Sequence, residues 1–188
     1  MTLLYLVRHG QTEWSRNGRH TSVTDLDLTE QGTAQAHALA GRLDPADFGL
    51  VLTSPRRRAQ RTAQLAGFDA AEVEDDLAEW FYGDYEGLTS NQIRQREPGW
   101  RIWFTGCPGG ETVEQVRARL TRVVARVREA GVERSICFGH GHALRVLTLA
   151  WLDFPVIFGQ NFPLDTATVS ALGREKESPA VLRWNCRP

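Results

Sequence analysis

The sequence holds a single lysine, Lys176, and every other basic residue is arginine. Positive charge therefore comes as planar guanidinium forks, which grip phosphate or carboxylate through paired N–H groups. Neither sign of charge is in excess. Lys+Arg of 22 against Asp+Glu of 23 gives a formal net charge of -1, and no segment is long and basic enough to serve as a nucleic-acid arm. A polyanion-binding protein is not expected. Cysteine is scarce: Cys107, Cys137 and Cys186 are odd in number and lack CxxC spacing, which argues against a disulfide framework and a structural zinc site and fits a reducing compartment. No run approaches the ~18 consecutive apolar residues of a membrane span, and the start MTLLYLVRHG has no basic n-region. A cytoplasmic protein without membrane association is expected.

What is present is the make-up of one folded domain over residues 1–188, with 41% hydrophobic and 24% charged residues. A chain of this size buries enough surface to stand without a disulfide, metal or partner, although a homodimer stays open. Residues 3–7, 50–53 and 135–138 are short continuous apolar runs, the pattern of strands buried on both faces and hence of a parallel sheet. Between them lie helix patterns at 29–43 and at 55–66, the second with Ser54 as N-cap and Pro55 at the first helical position. A third, at 113–130, carries Val113, Val116, Leu120, Val123 and Val127 at three- and four-residue steps, a capping-box pair in Thr112 and Gln115, and Gly131 past its last turn. Residues 142–152 read as another helix, and 166–172 with 180–184 as a hairpin around the turn 173–179. Alternating strands and helices predict an α/β fold, a mostly parallel central sheet with helices on both faces. Residues 98–111, with Trp100, Trp103 and Phe104, fit neither period and read as an insertion over one sheet edge, a lid or an aromatic anchor.

In such sheets ligands sit outside the carboxyl ends of the strands, and the three strand patterns end in Arg8-His9-Gly10, in Ser54-Pro55 with Arg56, Arg57 and Arg58, and in Gly139-His140-Gly141-His142. They are expected to converge. Glycine after each histidine lets the backbone turn and a ligand approach closely. Three arginines at the positive end of a helix dipole are unfavourable unless an anion offsets them, which makes the cluster a natural phosphate site. Because successive residues splay by about 100°, one or two of the three face the ligand. A phosphate held by Arg8 and one of the cluster beside two imidazoles suits phosphoryl transfer, in which histidine itself is a nucleophile. The leaving oxygen needs a proton donor, and Asp75, Asp76, Glu79, Asp84 and Glu86 are all candidates by position.

The segments LVRHGQTEW, TSPRRRAQRTA, LAEWFYGDYEG, GGET and FGHGHALR, in this order, resemble the histidine phosphatase superfamily, which includes the cofactor-dependent phosphoglycerate mutases. The resemblance spans Leu3 to about Arg145. It implies a phosphoglycerate mutase-like fold, His9 as the phosphorylated nucleophile, Arg8 and Arg58 as phosphate ligands, His140 as the second histidine and Glu79 as the proton donor. Thr21, Ser22 and Tyr82 fall at substrate-facing positions of that pattern, with Glu111 and Arg119 at structural ones. Two positions depart from it. Ser15 stands where mutases carry asparagine, and His142, also counted with the substrate-binding set, stands where a small residue or asparagine is common. EWxYGDYEG, WxxWxxGCPxGE and HGHALR are similar to a subgroup that includes acid-phosphatase-like and sedoheptulose-bisphosphatase-like proteins, and the insertion by which mutases clamp phosphoglycerate is absent.

The function expected is a phosphatase using no metal and no cofactor, acting on a small phosphorylated metabolite such as a sugar phosphate through a phosphohistidine on His9. Because Glu79 must start protonated, its activity is expected to lean to the acid side. Mutase-type phosphoryl transfer and a non-catalytic phosphate-binding module are the alternatives, and a metal site on His140, His142 and a carboxylate is a third, which the arginines disfavour.

Overall fold

The computed structural model describes residues 2–188. Its strands are β1 (Leu3–Arg8), β2 (Leu50–Thr53), β3 (Glu72–Val73), β4 (Arg134–Gly139), β5 (Val169–Glu175) and β6 (Ser178–Cys186). The helices are α1 (Glu13–Arg16), α2 (Glu30–Leu39), α3 (Arg57–Leu65), α4 (Ser90–Arg96), α5 (Ile102–Thr105), α6 (Val113–Glu129) and α7 (Gly141–Leu152). The strands form one sheet in the order β3-β2-β4-β1-β5-β6. β3, β2, β4 and β1 pair in parallel, while β5 runs antiparallel to both β1 and β6.

Apolar runs without alternation are explained by two cores. Leu4, Leu6, Leu52 and Cys137 face the larger one with Leu120, Val123 and Leu147 of α6 and α7, whereas Val7, Ile136 and Phe138 face a smaller one with Leu39 and Ala63 of α2 and α3. Burying each large aliphatic side chain contributes about 1.5–3 kcal/mol, so neither face of the central strands is free to be polar. α6 forms as expected: Thr112 and Gln115 close a capping box, and Gly131 follows at a φ of 65°.

Four boundaries differ from the sequence expectation. α3 begins at Arg57 rather than Pro55, with Arg56 as its uncapped N-cap residue, and the Ser54 hydroxyl meets both Arg56 N at 3.3 Å and His140 Nε2 at 2.7 Å. α2 stops at Leu39 rather than 43, where Ala40 turns extended and Gly41 takes a φ of 79°. In the hairpin, β5 is shifted three residues along the chain at its expected length and β6 runs longer than expected, the two closing around Lys176, whose φ is 54°. Residues 98–111 contain α5, and Trp100 and Trp103 are buried in the larger core, with Phe104 exposed. The aromatics anchor this segment.

Candidate active site

Arg8 and Gly139 are partners in the parallel register of β1 and β4, so the next residues, His9 and His140, leave the sheet side by side. Their ring centroids lie 5.1 Å apart. His9 Nδ1 is 2.7 Å from the Gly10 carbonyl. A carbonyl only accepts, so Nδ1 carries the proton and Nε2 keeps its lone pair. Arg58 Nε donates to His140 Nδ1 at 3.2 Å, which places the His140 proton on Nε2, where it is given to Ser54 Oγ at 2.7 Å. Burial, and then the charges of Arg58 and Arg8, hold His9 well below its usual 6.5. His140 is lowered in the same way, by burial and then by Arg58. Both imidazoles are neutral at neutral pH.

The arginine cluster divides by position. Arg58 is fully buried, and its guanidinium also donates to the carbonyls of Thr24 and Thr21 at 3.0 Å each and of Ser22 at 3.3 Å. It ties the loop after α1 to the sheet. Arg57 points outward to an ion pair with Asp27 at 3.0 Å. Arg8 donates to the Leu164 carbonyl through one terminal nitrogen, while its buried Nε has no partner among the described residues. An unpaired buried guanidinium N–H costs free energy unless an acceptor meets it, so this group marks an anion position.

Glu79 approaches from the other side. Its Oε1 accepts from Trp80 N at 2.9 Å and Ala143 N at 2.8 Å, and its Oε2 from His142 N at 3.1 Å, so the carboxyl group sits on the first turn of α7. The segment that carries it hangs from α6. Arg119 donates to the carbonyls of Asp76 and Ala78 at 2.7 and 2.8 Å and pairs with Glu111, whose Oε2 accepts from Phe81 N at 2.8 Å. Glu86, the other glutamate of this region, is occupied elsewhere, accepting from Ser22 N at 2.9 Å and Thr24 N at 3.0 Å.

These groups enclose a cavity of about 170 Å³ whose walls include Arg8, His9, Ser15, Thr21, Glu79, Tyr82 and His142. Three expected site residues are not among its walls. Arg58 and His140 form the layer behind His9, and Ser22 is buried, its hydroxyl bonded to Glu86 and accepting from Tyr82 N at 3.3 Å. Ser22 thus ties the loop to Glu86 and Tyr82 in this structure. Ser15 lines the cavity but spends its hydroxyl on the capping box of α1 with Thr12. No group of three His, Cys, Asp or Glu side chains among the described residues is placed to hold a metal.

Sequence reasoning gave no site role to three neighbours. Ser54 receives His140, and His20 and Arg145 line the cavity, with Arg145 stacked 4.4 Å from the Trp103 ring centroid. Trp103 also packs on His142 with centroids 5.0 Å apart. Polar residues at strand ends could have been found from the apolar run that precedes them, as Ser54 shows; His20 and Arg145 carried no such signal. A second cavity of about 540 Å³ shares His20 and His142 with the first and adds Arg94, Trp100, Arg101 and Trp103.

Neutral imidazoles side by side, a guanidinium with an unpartnered Nε and a facing carboxyl group at parallel strand ends are the parts that phosphoryl transfer uses. The chain belongs to the histidine phosphatase superfamily, branch 1, whose family model matches residues 4–187. It is 45% identical over 176 residues to an acid phosphatase of Mycobacterium tuberculosis, covering 92% of this chain and 86% of that protein. It is 36% identical over 183 residues to the sedoheptulose 1,7-bisphosphatase of Saccharomyces cerevisiae, covering 80% and 68%. The solved structure of an open-reading-frame product of Mycobacterium tuberculosis superposes with a TM-score of 0.94 at 39% identity, covering 99% of this chain and 98% of that one.

Proposed function

We propose that this chain is a phosphomonoesterase that hydrolyses a small phosphorylated metabolite, a sugar phosphate or a similar polyol ester, through a phosphohistidine on His9. The observation that carries this is the His9 tautomer: with Nδ1–H held by the Gly10 carbonyl, the free lone pair is on Nε2, in a ring that lines the cavity beside the unpaired Arg8 Nε–H. In the first step Nε2 attacks phosphorus in line and the P–O bond to the leaving oxygen breaks, with Glu79 giving that oxygen its proton. In the second, Glu79 takes a proton from water as the water oxygen bonds to phosphorus and the N–P bond breaks.

Arg8 meets the phosphoryl oxygens directly. Arg58 acts from behind His9, where its charge suppresses protonation of the ring, and His140 packs beside that ring with centroids 5.1 Å apart. Thr21, Tyr82 and His142 border the leaving group, for which the adjoining second cavity leaves room. A reducing, cytoplasmic setting agrees with Cys107 and Cys137 being buried and unpaired.

The test is phosphate release from an aryl phosphate in excess chelator by the wild type and by folded His9→Ala. Turnover is expected to survive the chelator and to fall on the order of 10³-fold or more in the variant. Turnover retained in His9→Ala would overturn the nucleophile, and loss in chelator restored by zinc would overturn the side-chain mechanism.

A further inference from the structure

Tyr82 and His142 reach the cavity wall from different elements, and they are bonded to each other. The Tyr82 hydroxyl lies 2.7 Å from His142 Nδ1, its one hydrogen-bond partner among the described residues, and the Glu79 carboxyl group is close enough to act on the phenol. Burial, and then the charge of Glu79, push the phenol well above its usual 10.0, so the oxygen keeps its one hydrogen. Burial, and then Arg145, hold His142 well below 6.5, so its ring is neutral and offers one lone pair. Two acceptors are therefore open to a single hydrogen, and the structure joins the hydroxyl to His142.

Neither acceptor can drift. The His142 ring is packed by Trp103, His20 and Trp80 at centroid distances of 5.0, 5.7 and 6.4 Å, and its own backbone N–H donates to Glu79 Oε2 at 3.1 Å. The histidine, the phenol and the carboxyl group form one unit.

We propose that His142 is a positioning residue that gives the Tyr82 hydroxyl a second acceptor, releasing Glu79 while that carboxyl group carries its proton. It rests on Glu79 being the proton donor. When the P–O bond breaks and His9 Nε2 bonds to phosphorus, the Glu79 proton passes to the leaving oxygen and the Tyr82 O–H turns from His142 Nδ1 to the carboxylate. When water bonds to phosphorus and the N–P bond breaks, the water proton returns to Glu79 and the O–H turns back. Without the imidazole, the buried hydroxyl has only Glu79 to donate to and competes with the proton that Glu79 must carry.

The experiment measures kcat and KM for His142→Ala, His142→Asn, Tyr82→Phe, the Tyr82→Phe/His142→Ala double variant and Glu79→Gln, each checked for a cooperative melt. Two substrates are used, an alkyl phosphate and an aryl phosphate whose acidic phenol departs without a proton. His142→Ala is expected to lower kcat about 10–100-fold on the alkyl ester and less than about threefold on the aryl ester, with KM little changed. The Asn variant, whose amide oxygen takes the place of Nδ1, restores most of the loss. The double variant loses no more than Tyr82→Phe alone, because the two groups act as a unit. Equal losses on both substrates, or additive losses in the double variant, would overturn the role given to His142. Glu79→Gln separates the two levels: if it shows the leaving-group dependence and His142→Ala does not, only this inference fails, and if Glu79→Gln lacks it, the proton donor itself is wrongly assigned.

Discussion

Lowering the pH from 7 to 5 tests whether the imidazoles are neutral in the folded protein. His9, His20 and His140 are buried and His142 is half-buried, and each is lowered from 6.5, chiefly by removal from water. In the unfolded chain each titrates near 6.5, so below that pH the unfolded state binds more protons and stability is lost as pH falls. His20, pushed down to about 4, gives the magnitude. Between pH 7 and pH 5 its unfolded form gains most of a proton while its folded form gains almost none, a loss of about 2 kcal/mol. The other three are shifted in the same direction and add to this loss. Urea unfolding at half-unit steps from pH 7 to pH 5 measures this. The midpoint should fall steeply below pH 6.5 at constant slope in urea, with more than one proton taken up per unfolding event. A midpoint flat over this range would refute the neutral assignment of all four rings, and with it the His9 lone pair. The nucleophile is expected to outlast the fold on the acid side.

Exchanging the two glutamates distinguishes their tasks: Glu79→Gln should lower kcat on alkyl esters by about 10²-fold or more, whereas Glu86→Gln should lower the melting temperature while leaving the leaving-group dependence of kcat unchanged. Arg119→Met removes the bonds to the Asp76 and Ala78 carbonyls, and kcat should fall about tenfold or more with KM less affected, as steady-state kinetics would register. Leu120→Ala, in the larger core, should cost about 2–5 kcal/mol in urea unfolding without changing the pH dependence of kcat.

Much of the scaffold was legible because its strands are buried on both faces. Continuous apolar runs at β1, β2 and β4 end in polar residues, and it is those ends that carry Arg8, His9, Ser54 and His140. What stayed hidden depends on partners far away in the chain. The Ser54 hydroxyl, read as a local cap, also meets His140, 86 residues on, a contact that no local pattern announces. β3 is two exposed residues with no apolar pattern to announce it. Glu79 and Glu86 look alike in sequence, and only the Ser22 and Thr24 amides mark the second as occupied. The bond of Ser22 to Glu86 is hidden for the same reason, and the pairing of Tyr82 with His142 joins residues whose spacing predicts nothing.

The two halves of the cavity are carried by different supports. His9 stands on the sheet, where a shift of one residue would disturb both cores, while the segment bearing Glu79 is suspended from α6 by Arg119 and Glu111. Insertions or exchanges in the loops around that suspension can therefore re-aim the proton donor, and reshape the wall that meets the leaving group, while the nucleophile keeps its register. Such a division lets one scaffold diversify in the esters it accepts without rebuilding the step that makes the phosphorus–nitrogen bond.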